Sequence, residues 1–421
     1  MDMLDLNFLR ANPELVRNAI RDKGEDADID RFLKIDSHRR ELIGRIDDGK
    51  HKRNRLSKEI GVQRVKGQGA TGLMDVTREL SREIKILERE LKALEDEMHE
   101  VLIRIPNIPH PTVPTGKDEN VIVKEQGTIP QFDFEIFPHW ELGSALDILD
   151  FPSGARVCGS NFPSYKGLGA RLERALINFM LDFNSNRGYT EIFPPFLVNR
   201  SSMFATGQLP KLEDDMYLIE EDDLFLNPTA EVPVTNIHRE QVVRLEDLPT
   251  KYVAYTACFR REAGSYGADT KGLLRVHQFN KVELVKFTTP ETSYAELDTM
   301  LDDVCAVMEA LRLPYRVAFL CAAELSFASA KTYDIEVWAP GIQKYLEVSS
   351  VSNFEAFQAR RADIRFRRAS GQKAEFVHTL NGSAVATPRT FAAIIENYQK
   401  KDGSVEVPEV LVPYMGVERI G

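Results

Sequence analysis

At 421 residues the chain has room for two or three domains, and its 43% hydrophobic and 28% charged residues set aside disordered and fibrous classes. A formal net charge of −11 sets aside a uniformly basic coat for duplex nucleic acid, so any RNA partner must meet a local basic patch. No apolar run approaches the roughly 18–20 residues that span a bilayer, so no membrane partner is expected.

In chain order, the first residues, Met1 to Asp5, are acidic and lack the basic-then-apolar pattern of a leader. A short helix follows, with Asn12 placed to cap it, Pro13 suited to its first turn and Gly24 to its end. The strongest periodic signal is the run Leu80, Ile84, Leu87, Leu91, Leu94, Met98, Val101 and Ile105, spaced alternately four and three residues apart. That is a heptad seam. A weaker seam runs through Ile35, Leu42, Ile46, Gly49, Arg53, Leu56 and Ile60, and Gly67, Gly69 and Gly72 between the two permit a turn. Two such helices make an antiparallel hairpin, each on the order of 40 Å long. Toward the tip the first carries Lys50, Lys52, Arg53, Arg55, Lys58, Arg64 and Lys66 against only Glu59. Such a run is as often a solvated face as a binding one. On a protruding arm it favours contact with a phosphate backbone.

Pro106, Pro109, Pro111, Pro114 and Gly116 end the hairpin and form a linker, which divides the chain into domains 1–110 and 111–421. Beyond it, helical stretches such as Ala170–Asp182 alternate with short β-rich runs: Tyr189–Ile192, Leu224–Leu226, Val282–Phe287 and Ile335–Trp338. With few strand–helix–strand crossovers, an α+β domain is expected, an antiparallel sheet flanked by helices. Cys158, Cys258, Cys305 and Cys321 are scattered, without a C-x-x-C pair or a nearby histidine at ligand spacing; they read as small apolar residues of a reducing, cytoplasmic compartment.

Two blocks carry chemistry. Phe259-Arg260-Arg261-Glu262, the glycine-rich Ala263-Gly264-Ser265-Tyr266-Gly267-Ala268-Asp269 and the basic-aromatic Arg275-Val276-His277-Gln278-Phe279-Asn280-Lys281-Val282-Glu283 read as two strands and a loop. Alternation would put Arg260 with Glu262 on one face, and Arg275, His277, Phe279, Lys281 and Glu283 together. A guanidinium there suits a phosphate and an aromatic ring suits a base, although a surface hairpin with ordinary cross-strand ion pairs reads equally well from this block alone. The second block, His378 to Arg389, is a run of small residues that ends where a helix begins, a place where an anion gains from the helix dipole and free amides.

These blocks resemble the second and third signature motifs of class II aminoacyl-tRNA synthetases, and Gly188-Tyr189-Thr190-Glu191-Ile192-Phe193-Pro194-Pro195 resembles the first, dimer-forming one. Thr229-Ala230-Glu231, the run Gly272 to Phe279, Glu347-Val348-Ser349-Ser350, Phe357-Gln358-Ala359-Arg360-Arg361, Thr379-Leu380-Asn381-Gly382-Ser383 and the tail Pro408 to Gly416 resemble bacterial-type seryl-tRNA synthetases in particular. The resemblance covers nearly the whole chain. It implies an ATP-dependent ligase that activates L-serine as an adenylate and transfers it to tRNA(Ser), with tRNA(Sec) a further candidate. A homodimer is also implied, with residues 1–110 serving as the tRNA-binding arm.

By the same resemblance Arg260, Glu283 and Arg389 carry the reaction. Thr229, Ala230, Glu231, Glu283, Asn381 and Ser383 meet serine. Arg260, Arg261, Glu262, Val276, Phe279, Glu347, Val348, Ser349, Ser350 and Arg389 meet ATP, and Glu347 with Ser350 holds Mg²⁺. The loop Ala263–Lys271 is expected to approach the acceptor end of the tRNA. His277 and His378 are expected to be structural, since no step needs an imidazole. One block departs: Ala322-Ala323-Glu324 stands where the family usually has Thr-Gly-Asp, which puts the shape of that loop in doubt. Two rival readings exist. A paralogue loading a carrier protein would generally lack the long arm, and a dead synthetase retained for RNA binding would have lost ATP ligands that stand here.

Overall fold

A computed structural model describes residues 4–67, 69–117, 119–263 and 271–421. By contacts the chain divides into two units, one ending at Pro106 and the other beginning at Asn107.

The N-terminal unit opens with two short helices where one was expected. Helix α1 (Leu6–Ala11) is capped by Asp5, whose Oδ1 accepts from Asn7 N at 2.8 Å and Phe8 N at 3.1 Å. Helix α2 (Pro13–Asp22) follows at once. Asn12 makes no side-chain cap for it; its amide donates instead to Phe8 O and closes α1. The hairpin is α3 (Ile29–Val65) and α4 (Thr71–Leu102). Helices of 37 and 32 residues are about 55 and 48 Å long, beyond the expected 40 Å, and Gly72 lies inside α4 rather than in the turn. Leu42, Ile46, Leu56, Ile84, Leu87 and Met98 are buried along the seam. Gly49 allows close approach: a Cβ there would stand 3.1 Å from Ile84. Lys50–Glu88 at 2.9 Å and Arg31–Glu97 at 2.7 Å set the register across the pair. Arg10 holds the buried Asp36 with two bonds of 2.7 and 2.8 Å, which ties α1 to α3 and keeps that carboxyl below its usual range. Lys52, Arg55, Lys58 and Lys66 are exposed and fall within roughly a third of the helix circumference at 100° per residue.

The second unit is built on an eight-stranded sheet: β1 (Val121–Gln126), β2 (Thr190–Ile192), β3 (Thr250–Phe259), β4 (Gln278–Thr288), β5 (Tyr315–Phe319), β6 (Lys331–Ala339), β7 (Lys344–Asn353) and β8 (His378–Ala386). Their spatial order is β1-β5-β6-β7-β8-β4-β3-β2. Every pairing is antiparallel except that of β2 with β3. Around Val282–Phe287 and Ile335–Trp338 the strands are longer than the apolar runs predicted because polar residues also take part, whereas β2 begins one residue after Tyr189. Leu224–Leu226 belongs instead to a separate three-stranded sheet.

Strand alternation divides the central strands between two faces. Val282 and Leu284 of β4, with Leu380 and Ala384 of β8, pack against α5 (Leu168–Ser185), α7 (Ser293–Ala310) and α9 (Thr387–Asn397) in one core. Val285 and Phe287 of β4 face the other way, toward α6 (Glu231–Thr235) and α8 (Phe357–Ala362). On that second face Phe279, Lys281 and Glu283 continue the odd-numbered series out of the apolar cluster and into a cleft. Gly382 has no side chain because Met300 Sδ and Val351 would stand 3.0 and 3.2 Å from a Cβ. No helix among the described residues is long and apolar enough to cross a membrane.

Candidate active site

The cleft has a volume of about 460 Å³ and is lined from β4, β7, β8, the start of α9 and the segments 229–231, 260–262 and 273–276. Its residues fall into a buried polar group and a more open charged one.

The buried group centres on Glu283, 1% exposed. Glu283 Oε2 lies 2.5 Å from Lys281 Nζ and accepts from Thr229 Oγ1 at 2.7 Å, while Oε1 accepts from Asn381 Nδ2 at 3.2 Å. Lys281 Nζ also donates to Thr229 Oγ1 at 2.9 Å. Glu283 stands opposite Ser383 in the β4–β8 ladder, beside a bulge at Val282/Glu283. Ser349 supports this wall by donating to Ser383 O at 2.6 Å. Glu231 accepts from Gln358 Nε2 at 2.6 Å, and Gln358 is oriented in turn by Thr379 at 2.7 Å. Burial, and next the charge of Glu283, push the Glu231 carboxyl up to about 7. A cation entering here would meet two carboxylates, of which only Glu283 has an ammonium bonded to it.

The open group is arranged around two arginines. Arg260 follows the end of β3; its Nε donates to Pro228 O at 3.3 Å and its guanidinium stands 5.2 Å from the centre of the Phe279 ring. Arg389 sits in the first turn of α9, with Nε donating to Leu274 O at 3.1 Å and Nη1 to Glu347 O at 2.7 Å. Backbone carbonyls thus orient both guanidinia, and Arg389 Nη1 also stands 3.5 Å from Glu347 Oε2. Ser350 donates to Asp334 Oδ1 at 2.5 Å and lies 3.4 Å from Glu347 Oε1. Burial, and then Glu347, raise the Asp334 carboxyl well above its ordinary value. Among the described residues no group of three or more His, Cys, Asp or Glu side chains is placed to hold a metal ion. Glu347 with Ser350 offers only a partial set of hard oxygen donors. That suits Mg²⁺ arriving on a polyphosphate, because the ion keeps waters and binds few protein carboxylates.

The cleft brings together most of the residues singled out from the sequence: Thr229, Glu231, Arg260, Glu262, Val276, Phe279, Glu283, Glu347, Val348, Ser349, Ser350, Asn381, Ser383 and Arg389. Arg261 and Ala230 are not among its lining residues. Arg261 Nε donates to Met216 O at 3.1 Å and its guanidinium lies 5.1 Å from the Tyr217 ring centre, while Ala230 is buried in the apolar cluster beneath. The expected alternation also fails at Glu262. β3 ends at Phe259 and Glu262 has φ +51°, so its side chain is placed by a turn, with Arg275 Nη1 3.2 Å away. His277 Nδ1 contacts Arg260 O at 3.0 Å, and His378 Nδ1 contacts Ser293 Oγ at 2.9 Å. The loop expected to approach the acceptor end lies, at 264–270, outside the described residues. Ala322-Ala323-Glu324 forms a single turn in which Ala322 packs with Val113, Leu320 and Leu325, and the following Ser326, Phe327 and Ala328 line the cleft. Lys281, Gln358 and Asp334 join the site without a role read from the sequence. Lys281 was legible, two residues before Glu283 in a strand; Gln358 and Asp334 reach the site only through tertiary packing.

A nearly all-antiparallel sheet that holds two arginines and a buried carboxylate in one cleft is the arrangement of a class II synthetase core. Residues 212–398 match the family model of the tRNA synthetase class II core domain (G, H, P, S and T), and residues 3–109 that of the seryl-tRNA synthetase N-terminal domain. The serine–tRNA ligase of Desulfitobacterium hafniense is 53% identical over 421 residues, covering 100% of both chains, and that of Caldanaerobacter subterraneus is 56% identical over 99% of both. The crystal structure of seryl-tRNA synthetase from Pyrococcus horikoshii complexed with ATP superposes with a TM-score of 0.95 at 37% identity, covering 99% of each chain. The chain belongs to the serine–tRNA ligase family.

Proposed function

We propose that the cleft joins serine to ATP and passes the product to tRNA, with the roles divided as its two groups suggest. The serine carboxylate attacks the α-phosphorus of ATP; a new P–O bond forms and the bond to the bridging oxygen breaks, with pyrophosphate leaving on its electron pair. The nucleophile is already ionised at neutral pH, so no general base is needed. Positioning and charge neutralisation carry the step. Arg260 receives the α-phosphate, Arg389 the far phosphates, Phe279 and Val276 the adenine, and Glu262 and residues 347–350 the rest of the nucleotide. Bound Mg²⁺, held by Glu347 and Ser350, would draw charge from the phosphates. A tRNA 3′-hydroxyl then attacks the adenylate carbonyl; an ester C–O bond forms, the carbonyl carbon's bond to the phosphate oxygen breaks, AMP leaves on that electron pair, and the hydroxyl proton passes to the departing phosphate or to water. The observation that carries this reading is the placement of a small buried polar group, Thr229–Lys281–Glu283–Asn381, in the same cleft as two carbonyl-oriented arginines. Glu283 would accept the serine hydroxyl and Glu231 the ammonium group. The chain is read as cytoplasmic and as a homodimer, with tRNA(Ser) as its acceptor. Charging of total tRNA with each labelled standard amino acid tests the reading; a preference for any other amino acid would overturn it.

Glu231 gives this reading a pH signature. A buried carboxyl raised from 4.5 to about 7 favours the fold in its protonated form. That contribution is complete at low pH and is lost as pH rises through about 7. Serine brings an ammonium group that pairs with the ionised form. The rise in melting temperature produced by serine should therefore grow between about pH 6 and pH 8, and Glu231→Gln should flatten that slope. A serine effect independent of pH in the wild type would separate Glu231 from the ammonium group.

The helical hairpin is proposed to hold the tRNA through exposed Lys52, Arg55, Lys58 and Lys66. Because Lys50 and Glu88 face each other at 2.9 Å, residues 51–87 can be excised and the helices rejoined there by a short linker. Serine-dependent pyrophosphate exchange should stay within about twofold, while tRNA charging falls by roughly 100-fold as several phosphate contacts are lost. Equal loss of both activities would remove the division of labour.

A further inference from the structure

His139 and Glu396 form a pair that the reaction above does not use, and both are 0% exposed. His139 Nδ1 lies 2.7 Å from Glu396 Oε1, and Glu396 also accepts from His139 N at 2.8 Å and Gly341 N at 2.9 Å. On the far side of the ring, Leu273 N donates to His139 Nε2 at 3.0 Å. A backbone N–H can only donate, so Nε2 keeps its lone pair and the ring proton sits on Nδ1, toward Glu396.

The next residue, Leu274, supplies the carbonyl that accepts from Arg389 Nε. Arg389 and Glu396 lie at opposite ends of the same helix, α9. The contacts therefore close a circuit from Arg389 through Leu274 and Leu273 to His139, then to Glu396 and back along α9. Gly272 completes it. A methyl there would collide with His139 Nε2 and stand 3.1 Å from Trp140, whose ring also carries Lys271 Nζ at 4.7 Å.

We propose that His139 is a positioning residue for ATP: by holding Leu273 it fixes the Leu274 carbonyl that aims the Arg389 guanidinium. A buried His–Glu pair alone would be ordinary core stabilisation. The accepted Leu273 N–H, one residue from the partner of Arg389, sets this pair apart. The proposal rests on the role given to Arg389 above.

The test compares two substitutions that keep different halves of the imidazole. His139→Gln places an acceptor near the position of Nε2 and can keep the Leu273 bond; His139→Asn places a donor near Nδ1 and keeps only the Glu396 side. In serine-dependent pyrophosphate exchange, His139→Asn should raise KM for ATP by about tenfold with KM for serine within about twofold, and His139→Gln should stay within about threefold of wild type for both. Gly272→Ala presses on Nε2 but also strains a backbone at φ +67°; Gly272→Asn, which tolerates that φ better, should share the ATP-selective defect if the clash with His139 is its cause, and an unchanged KM for ATP in Gly272→Asn would overturn the proposal if neither His139 variant folds. Equal effects of the two His139 variants, or parallel rises in KM for serine and ATP, would overturn the proposal. Absence of serine-dependent exchange in the wild type would instead sink the functional reading on which it rests.

Discussion

Replacing Arg260 by alanine is expected to lower serine-dependent ATP–pyrophosphate exchange by roughly 10³-fold or more, on the scale of losing a charge-stabilising arginine in phosphoryl transfer. The reason is local. Arg260 is aimed by Pro228 O and by the Phe279 face, so its cost of ordering is met before substrate binds. The step creates charge on the oxygens around the α-phosphorus and uses no proton transfer that another group could supply. Arg260→Lys should fall between, since an ammonium keeps the charge but not the planar fork that can hold two oxygens at once. Exchange rates with saturating serine and ATP, beside a melting curve for each variant, separate this from misfolding. An alanine variant that folds and keeps more than about a tenth of the wild-type rate would remove Arg260 from the reaction.

The second large effect concerns choice of amino acid. Glu283→Gln should reduce kcat/KM for serine by roughly 10²-fold to 10³-fold and erode the preference for serine over alanine. Glu283 is buried with Lys281, Thr229 and Asn381 on its two oxygens. In that setting a substrate hydroxyl that donates to the carboxylate is worth far more than in water, and alanine would leave the group short of a partner. The glutamine keeps the shape but leaves the Lys281 ammonium without its counter-charge, so part of the loss appears in binding. A serine-to-alanine ratio equal to that of the wild type would show that Glu283 serves Lys281 and the fold rather than the substrate.

Much of this was legible before the fold. The heptad spacing of Leu80 to Ile105 specified the hairpin because a periodic apolar stripe has few ways to be buried. Of the five residues that strand alternation put on one face, Arg275, Phe279, Lys281 and Glu283 line the cleft, while His277, which precedes the start of β4 at Gln278, is not among its lining residues. The same rule failed three residues past the end of β3, where Glu262 takes a left-handed conformation that no local pattern announced. Arg261 was equally ambiguous: adjacent to Arg260 in sequence, it is captured by Met216 O and Tyr217, partners more than forty residues away. Gln358 and Asp334 were silent for a related reason. Each is an ordinary polar residue in its own segment and acquires meaning only from a neighbour that folding brings to it, Glu231 for one and Ser350 for the other. The His139–Glu396 pair, 257 residues apart, belongs to the same class.

Two arginines, aided by a metal ion, are proposed to collect the charge of a triphosphate beside a small hydroxylated amino acid. Incorporation of labelled pyrophosphate into ATP, measured on the purified protein with Mg²⁺, tests it most directly. Label should enter ATP when serine is present, with only background label when serine is omitted or replaced by alanine. Background incorporation with serine present, in a protein that is folded by its melting curve, would contradict it.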